Sequence, residues 1–297
     1  MFTISFEAKM TQEFKVGDSD PYIGKIQRML NQQCGLHLQC DGGFGPLTRD
    51  ALITFQVKNF IKSTGTYSAP TAALLDPLIA AKYLGDASWS PAALALGVPI
   101  SSVKAVQQVE TSGSGFFDDG RVDILFERHV FRRQLMAMMN KSPMSAMAVA
   151  KAAGMLYSPG ATTVAVIDNW LQTHWSDVYN QTAGGYTGGA KEYDRMAKAA
   201  TLDLASAQCA ASWGLFQIMG YQYAVMGYPN VAAYVADAQT SETLQLQQFV
   251  KFILADAHLL GCLRTRDWHG FAVGYNGQGQ QGYDVKLQMA AFYWDHH

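Results

Sequence analysis

Five consecutive residues, Thr111-Ser-Gly-Ser-Gly115, limit what precedes them, because each is a turn former or helix breaker. Ahead of them Val103, Val106 and Val109 recur at helical spacing, and Ser101 or Ser102 offers an N-terminal cap. The sequence therefore predicts a helix that closes on Glu110. The C-terminal end of a helix carries partial negative charge, and apolar neighbours desolvate whatever sits there. Both effects oppose ionisation of the carboxyl. A carboxylic acid that keeps its proton near neutral pH is the group that protonates a leaving glycosidic oxygen. A solvated glutamate at a helix end is the plainer reading of the same residues.

Asp119-Gly120 then offers a turn, and Arg121-Val-Asp-Ile-Leu-Phe-Glu-Arg-His129 predicts a strand centred on Ile124, Leu125 and Phe126. Glu127 lies at or just past its end, and His129 shares its face if the strand continues. A glycosidase that uses two carboxylates holds them roughly 5–5.5 Å apart for retention and roughly 6.5–9.5 Å apart for inversion. The carboxylates that follow Glu110 are Asp118, Asp119, Asp123 and Glu127. The first two fall in a turn and Asp123 alternates with the apolar face, which makes Glu127 the preferred partner. Glu127 can equally serve to orient Arg128 or His129.

Apolar residues form 49% of the 297-residue chain and charged residues 15%, which suits a packed protein of two domains. A net charge of −2 gives no general attraction to nucleic acid or to anionic membranes. Cys34, Cys40, Cys209 and Cys262 make neither a disulfide framework nor a paired zinc motif. Free thiols are expected, with a Cys34–Cys40 bridge the alternative outside a reducing compartment. No metal and no cofactor is implied, since the histidines lack ligand spacing. The N-terminal MFTISFEAKMTQEF has Glu7 and Lys9 and no continuous apolar core, so it does not read as a secretory signal. The apolar stretch 142–167 is interrupted by Lys151, Pro159 and Gly160, which argues against a membrane span.

Residues 16–75 read as a compact unit of three helices. Ile23, Ile26, Met29 and Leu30 mark the first. The second carries Thr48 as a cap, with Leu52, Phe55 and Phe60 turned inward, and Thr71 or Ser68 caps the third. The stretch from Asp41 to Thr48 is echoed by Gly65 to Thr71: turn, aromatic, turn, helix cap. An Ala-, Leu- and Pro-rich connector places the boundary near residue 80, giving domains 1–80 and 81–297.

Farther on, a Met-rich helical region spans 131–155; its methionines read as core filler. Trp170 and Trp175 flank another helix, and 180–190 is a Gly/Tyr loop. A long helix over 193–211 presents Met196, Ala199, Ala200 and Leu204 inward. Within the uncharged Ser212-Trp-Gly-Leu-Phe-Gln-Ile-Met-Gly220, Gln217 needs hydrogen-bond partners from the backbone or from a ligand. A helix over 241–263 follows, and Phe271 to Gly279 is a helix end that opens into a turn bearing Tyr275 and Asn276.

Two resemblances emerge from these motifs. Val16-Gly17-Asp18, Ile26-Gln27-x-x-Leu30, Asp41-Gly42-x-Phe44-Gly45-x-x-Thr48 and Phe55-Gln56 resemble the type 1 peptidoglycan-binding domain. Glu110-Thr-Ser, Gly214-Leu-Phe-Gln-Ile-Met219 and Ala272-x-x-Tyr275-Asn276 resemble goose-type lysozymes and soluble lytic transglycosylases. Asp119-Gly-Arg-x-x-Ile-Leu-Phe-Glu-Arg-His129 and Ala211 to Gly220 bring the match nearer to the N-acetylmuramidase domain of modular phage endolysins. That resemblance implies a mainly α fold: a three-helix wall-binding bundle, then an α-rich lysozyme-like domain with a short β element. It implies cleavage of the β-1,4 bond between N-acetylmuramic acid and N-acetylglucosamine, with Glu110 as general acid. Ser212, Gln217, Tyr275, Asn276 and His129 would then border the sugar groove, and Glu127 falls in the family's Phe-Glu-x-His motif. A monomer is expected, made in a host cytoplasm and reaching the wall through a holin. A lytic transglycosylase is the alternative, with a non-catalytic wall-binding protein or a zinc amidase behind it.

Overall fold

The computed structural model describes residues 13–111, 113–277 and 282–297. The first twelve residues, which carry most of the stretch that does not read as a secretory signal, lie outside the described residues. So do Ser112 of the Glu110-Thr-Ser motif and the end of the turn after Gly277. The chain divides into two compact units, one of residues 13–85 with 116–121, the other of 86–115 with 122–297.

The smaller unit is built on helices α1 (Pro21–Cys34), α2 (Pro46–Lys58) and α3 (Ala69–Lys82). Asp20 caps α1 by accepting from the Tyr22 amide, Pro21 fits the first turn, and Gly35 closes it in the left-handed conformation. Ile23, Ile26, Met29 and Leu30 are buried, as their spacing predicts. Gly45 rather than Thr48 occupies the cap position of α2, and Ser68 that of α3.

The repeated rhythm read in the sequence has a physical basis in two buried glutamines. Gln27 on α1 donates to Asp41 Oδ1 (3.1 Å), Gly43 O (2.9 Å) and Thr48 Oγ1 (3.1 Å) and accepts from the Gly42 amide. Gln56 on α2 donates to Thr64 Oγ1, Thr66 O (3.0 Å) and Thr71 Oγ1 (2.9 Å) and accepts from the Gly65 amide. Each glutamine thus fastens the loop after its own helix to the start of the next helix. Phe60 departs from expectation: it is 97% exposed, with φ of 56°, at the end of α2. The hydrogen bonds Phe60 N to Val57 O and Ile61 N to Gln56 O close the helix there, so the ring is carried outward. The segment 116–121 is held in this unit by Asn31 Nδ2 donating to Asp118 O (3.0 Å) and Lys82 Nζ to Gly120 O (2.9 Å).

The larger unit runs α4 (Trp89–Leu96), α5 (Ile100–Glu110), β1 (Ile124–Phe126), α6 (Arg128–Met139), α7 (Pro143–Ala152), α8 (Val164–His174), α9 (Glu192–Ala200) and α10 (Leu204–Cys209). It continues with β2 (Ala211–Trp213), β3 (Ile218–Met219), α11 (Val231–Thr240), α12 (Glu242–Ala255), α13 (Ala257–Thr265), α14 (Trp268–Asn276) and α15 (Tyr283–His296). The three short strands form one antiparallel sheet in chain order, with Leu125 opposite Ser212 and Ser212 opposite Met219. The fold is mainly α and lysozyme-like, as the resemblance implied.

Several element limits differ from the sequence reading. Helix α5 starts behind Pro99, which leaves Ser101 and Ser102 buried in its first turn rather than capping it. The predicted strand to His129 stops at Phe126, and Glu127 becomes the cap residue of α6, which carries His129 in its first turn. The helix predicted over 193–211 is cut by Asp203, whose carboxylate caps α10 and leaves Leu204 56% exposed. That predicted over 241–263 is cut by Asp256, which caps α13. An aspartate whose side chain takes the free amides of a new helix wins over continuing the old one. All four cysteines are free thiols. Among the described residues no single helix is long and apolar enough to cross a membrane, and no group of three metal-ligating side chains occurs.

Candidate active site

Helix α5 positions Glu110 by burying its other side: Val103, Ala105 and Val106 are fully buried. Its end is fixed by Thr111, whose amide and hydroxyl donate to Gln107 O. The turn that follows is tied to α12, where Glu242 Oε1 accepts from the Ser114 hydroxyl and the Gly115 amide, both at 2.9 Å. One turn on, Gln245 Oε1 accepts from the Leu215 amide (2.8 Å). A Cβ on Gly115 would lie 1.9 Å from that Oε1, so the close approach requires glycine.

Glu110 opens onto a cleft of about 280 Å³ that Glu127, Ser212, Gln217, Tyr275 and Asn276 also line. Every groove residue predicted from sequence is present except His129, which stands behind Glu127 with its Nδ1 3.2 Å from the carboxylate. Leu125, Tyr221 and Phe252 supply apolar and aromatic wall, the kind of surface that receives the face of a sugar ring.

Burial pushes the Glu110 carboxyl up to about 7, against a hydrogen bond from the Tyr283 hydroxyl that favours the ionised form. Tyr283 itself is buried and its phenol is pushed well above the ordinary range, which keeps it a donor. At neutral pH a substantial share of Glu110 is therefore the acid.

The four carboxylates after Glu110 separate clearly. Asp118 faces Arg28 at 3.5 Å and Asp119 pairs with Arg121 at 2.6 Å, both within the smaller unit. Asp123 belongs to the larger unit; burial pushes it up to about 6, yet it does not border the cleft. Glu127 does. Its Oε1 accepts from the Tyr186 hydroxyl at 2.7 Å.

Three predicted groove residues turn out to be occupied within the protein. Gln217, at φ of 47°, donates to Gly214 O (2.9 Å) and accepts from Ser212 Oγ (2.6 Å). Backbone and neighbouring hydroxyl answer the need that its apolar surroundings create. The Tyr275 hydroxyl donates to Phe216 O (2.7 Å), and its ring stacks on Phe271 at 5.2 Å between centroids. These groups shape the wall of the cleft. Asn276 is exposed at its rim, and its amide has no partner among the described residues. In the smaller unit Phe44, Thr48 and Gln56 are buried, and Asp41 and Gly42 are bound to Gln27, so these motif residues build the bundle rather than its surface.

Tyr283, Tyr186, Glu242 and Gln245 carry no signal in the sequence alone. None belongs to a local pattern; each reaches the site from 30 or more positions away in the chain.

A lysozyme-like fold with a buried, proton-holding carboxyl at a cleft is the arrangement of a glycoside hydrolase, and the chain belongs to the N-acetylmuramidase family, whose model matches residues 99–296. It is therefore a peptidoglycan-cleaving enzyme. The crystal structure of the Burkholderia AP3 phage endolysin is similar to it, at 35% identity over 96% of this chain and 100% of that one, with a TM-score of 0.58. No curated protein matches.

Proposed function

We propose that this protein is an endolysin that hydrolyses the β-1,4 bond between N-acetylmuramic acid and N-acetylglucosamine, with Glu110 as general acid and Glu127 as second carboxylate. The observation that carries this reading is the shared cleft: it holds both carboxyls, and burial keeps Glu110 protonated to about pH 7. Glu110 hands its proton to the glycosidic oxygen as the bond breaks. Glu127 faces the positive charge that develops at the anomeric carbon. Ser212, Gln217 and Tyr275 fix the wall, while Asn276 is placed to bond an N-acetyl or hydroxyl group of the sugar.

Mass spectrometry of fragments released from purified wall tests the reaction. Muramic acid ends carrying an added water are expected; ends lighter by one water, the anhydro product of a transglycosylase, would overturn hydrolysis. Glu110→Gln is expected to lose about 10²–10⁴-fold in rate.

The smaller unit is assigned to wall binding on its motif resemblance, and its contact surface must come from exposed residues around the buried motif. Access to the wall from a host cytoplasm through a holin fits the likeness to a phage endolysin, and the enzyme is taken to act as a monomer. Expression with and without a holin, followed by culture turbidity, tests the route.

A further inference from the structure

We infer that the loop 180–189 is a positioning strap for the second carboxylate, with Tyr186 as the residue through which it acts. The inference rests on the reading of Glu127 above. Glu127 is the last residue before α6; its amide donates to Ala210 O (2.9 Å), but among the described residues its carboxylate takes no hydrogen bond from strand or helix. Among the described residues the Tyr186 hydroxyl is the hydrogen-bond donor to its carboxylate, at 2.7 Å from Oε1. The His129 ring lies 3.2 Å from Oε2, but neither atom makes a hydrogen bond.

A tyrosine on this loop would ordinarily be a poor anchor. Gly184, Gly185, Gly188 and Gly189 all have positive φ, and the loop has no regular structure of its own beyond its last residue. Two charged side chains supply the rigidity. Arg128 donates to Thr182 O (3.0 Å), Ala183 O (3.0 Å) and Ser176 O (3.1 Å). At the other end the fully buried Glu192 accepts from the Thr187 amide, the Thr187 hydroxyl and the Gly188 amide (2.8 Å). Its second oxygen accepts from Arg195 (2.6 Å) and from the Phe126 amide (3.3 Å).

The anchoring points flank Glu127 in the chain, Phe126 before it and Arg128 after it. The loop is therefore referenced to the same backbone that carries the carboxylate, and Tyr186 meets it in a fixed register. In Phe126-Glu-Arg-His129 it is the arginine that holds the strap. Tyr186 remains 46% exposed; the Arg195 guanidinium lies over its ring at 5.9 Å, and its hydroxyl makes the bond to Glu127.

The test is a double-mutant cycle in the full chain on purified soluble glycan strands. Tyr186→Phe is expected to lower kcat about tenfold while KM stays within twofold. Glu127→Gln is expected to lower kcat further, and Tyr186→Phe should then add nothing in the Glu127→Gln background. Arg128→Lys, which keeps the charge but not the three-carbonyl reach, should reproduce the fall in kcat. Parental kcat in Tyr186→Phe, an equal fall in both backgrounds, or a parental Arg128→Lys would overturn the strap. Parental kcat in Glu127→Gln would instead overturn the role of Glu127 itself.

Discussion

The Tyr283 hydroxyl donates to the Glu110 carboxyl across 173 positions of sequence. Tyr283 opens α15 and Glu110 closes α5, and the two helices pack along each other. The acid is thus set by opposed effects: burial raises its affinity for the proton and the tyrosine lowers it. Removing either side of that balance has a defined sign.

Tyr283→Phe removes the donor that favours carboxylate, so Glu110 should hold its proton to higher pH. The alkaline limb of the kcat/KM profile, expected near pH 7 in the parent, should move upward in the variant. An unmoved or lowered limb would contradict the assignment of that limb to Glu110.

The same shift has a consequence for stability. Glu110 is raised from 4.5 to about 7 on folding, so below about pH 4.5 it is protonated in both states and carries no penalty. As pH rises from there through 7, ionisation increasingly favours the unfolded chain. Glu110→Gln should therefore be more stable than the parent by about 3 kcal/mol at pH 8 and close to it at pH 4. Urea unfolding at the two pH values measures the difference.

Gln56 is wholly buried and satisfies three acceptors and one amide. Gln56→Ala leaves those groups unpaired and opens a void, at a cost of about 2–4 kcal/mol. A lower denaturant midpoint for the full chain is the expected result.

Phe60 gives the reverse case. Its exposed ring buries nothing, and its backbone holds the left-handed conformation that glycine adopts without strain. Phe60→Gly should stabilise by about 0.5–1 kcal/mol, read as a small rise in Tm.

Much of the local architecture was legible because it is written in short-range terms. The breakers after Glu110 end α5 where expected, and the spacing of Ile23, Ile26, Met29 and Leu30 gives α1 its buried face. From the motifs of the catalytic resemblance, Glu110, Glu127, Ser212, Gln217, Tyr275 and Asn276 line the cleft. Short-range terms fail where two local solutions are close in energy. Arg121 to His129 has strand character throughout, yet the ladder with Ala211 to Trp213 runs from Ile124 to Phe126, and after Glu127 a helix begins. Asp203 and Asp256 likewise turn one apparent helix into two by capping the second.

The buried face of α1, the breaker at position 111 and the end of α5 at Glu110 follow from residues within a few positions of one another, because periodicity and capping are local. Which of four carboxylates joins Glu110, which tyrosines hold the pair, and whether Gln217 faces a ligand or its own backbone were decided by packing. Those contacts join residues from a few to 173 positions apart, and only the folded chain, by excluding water and fixing distances, selects among them.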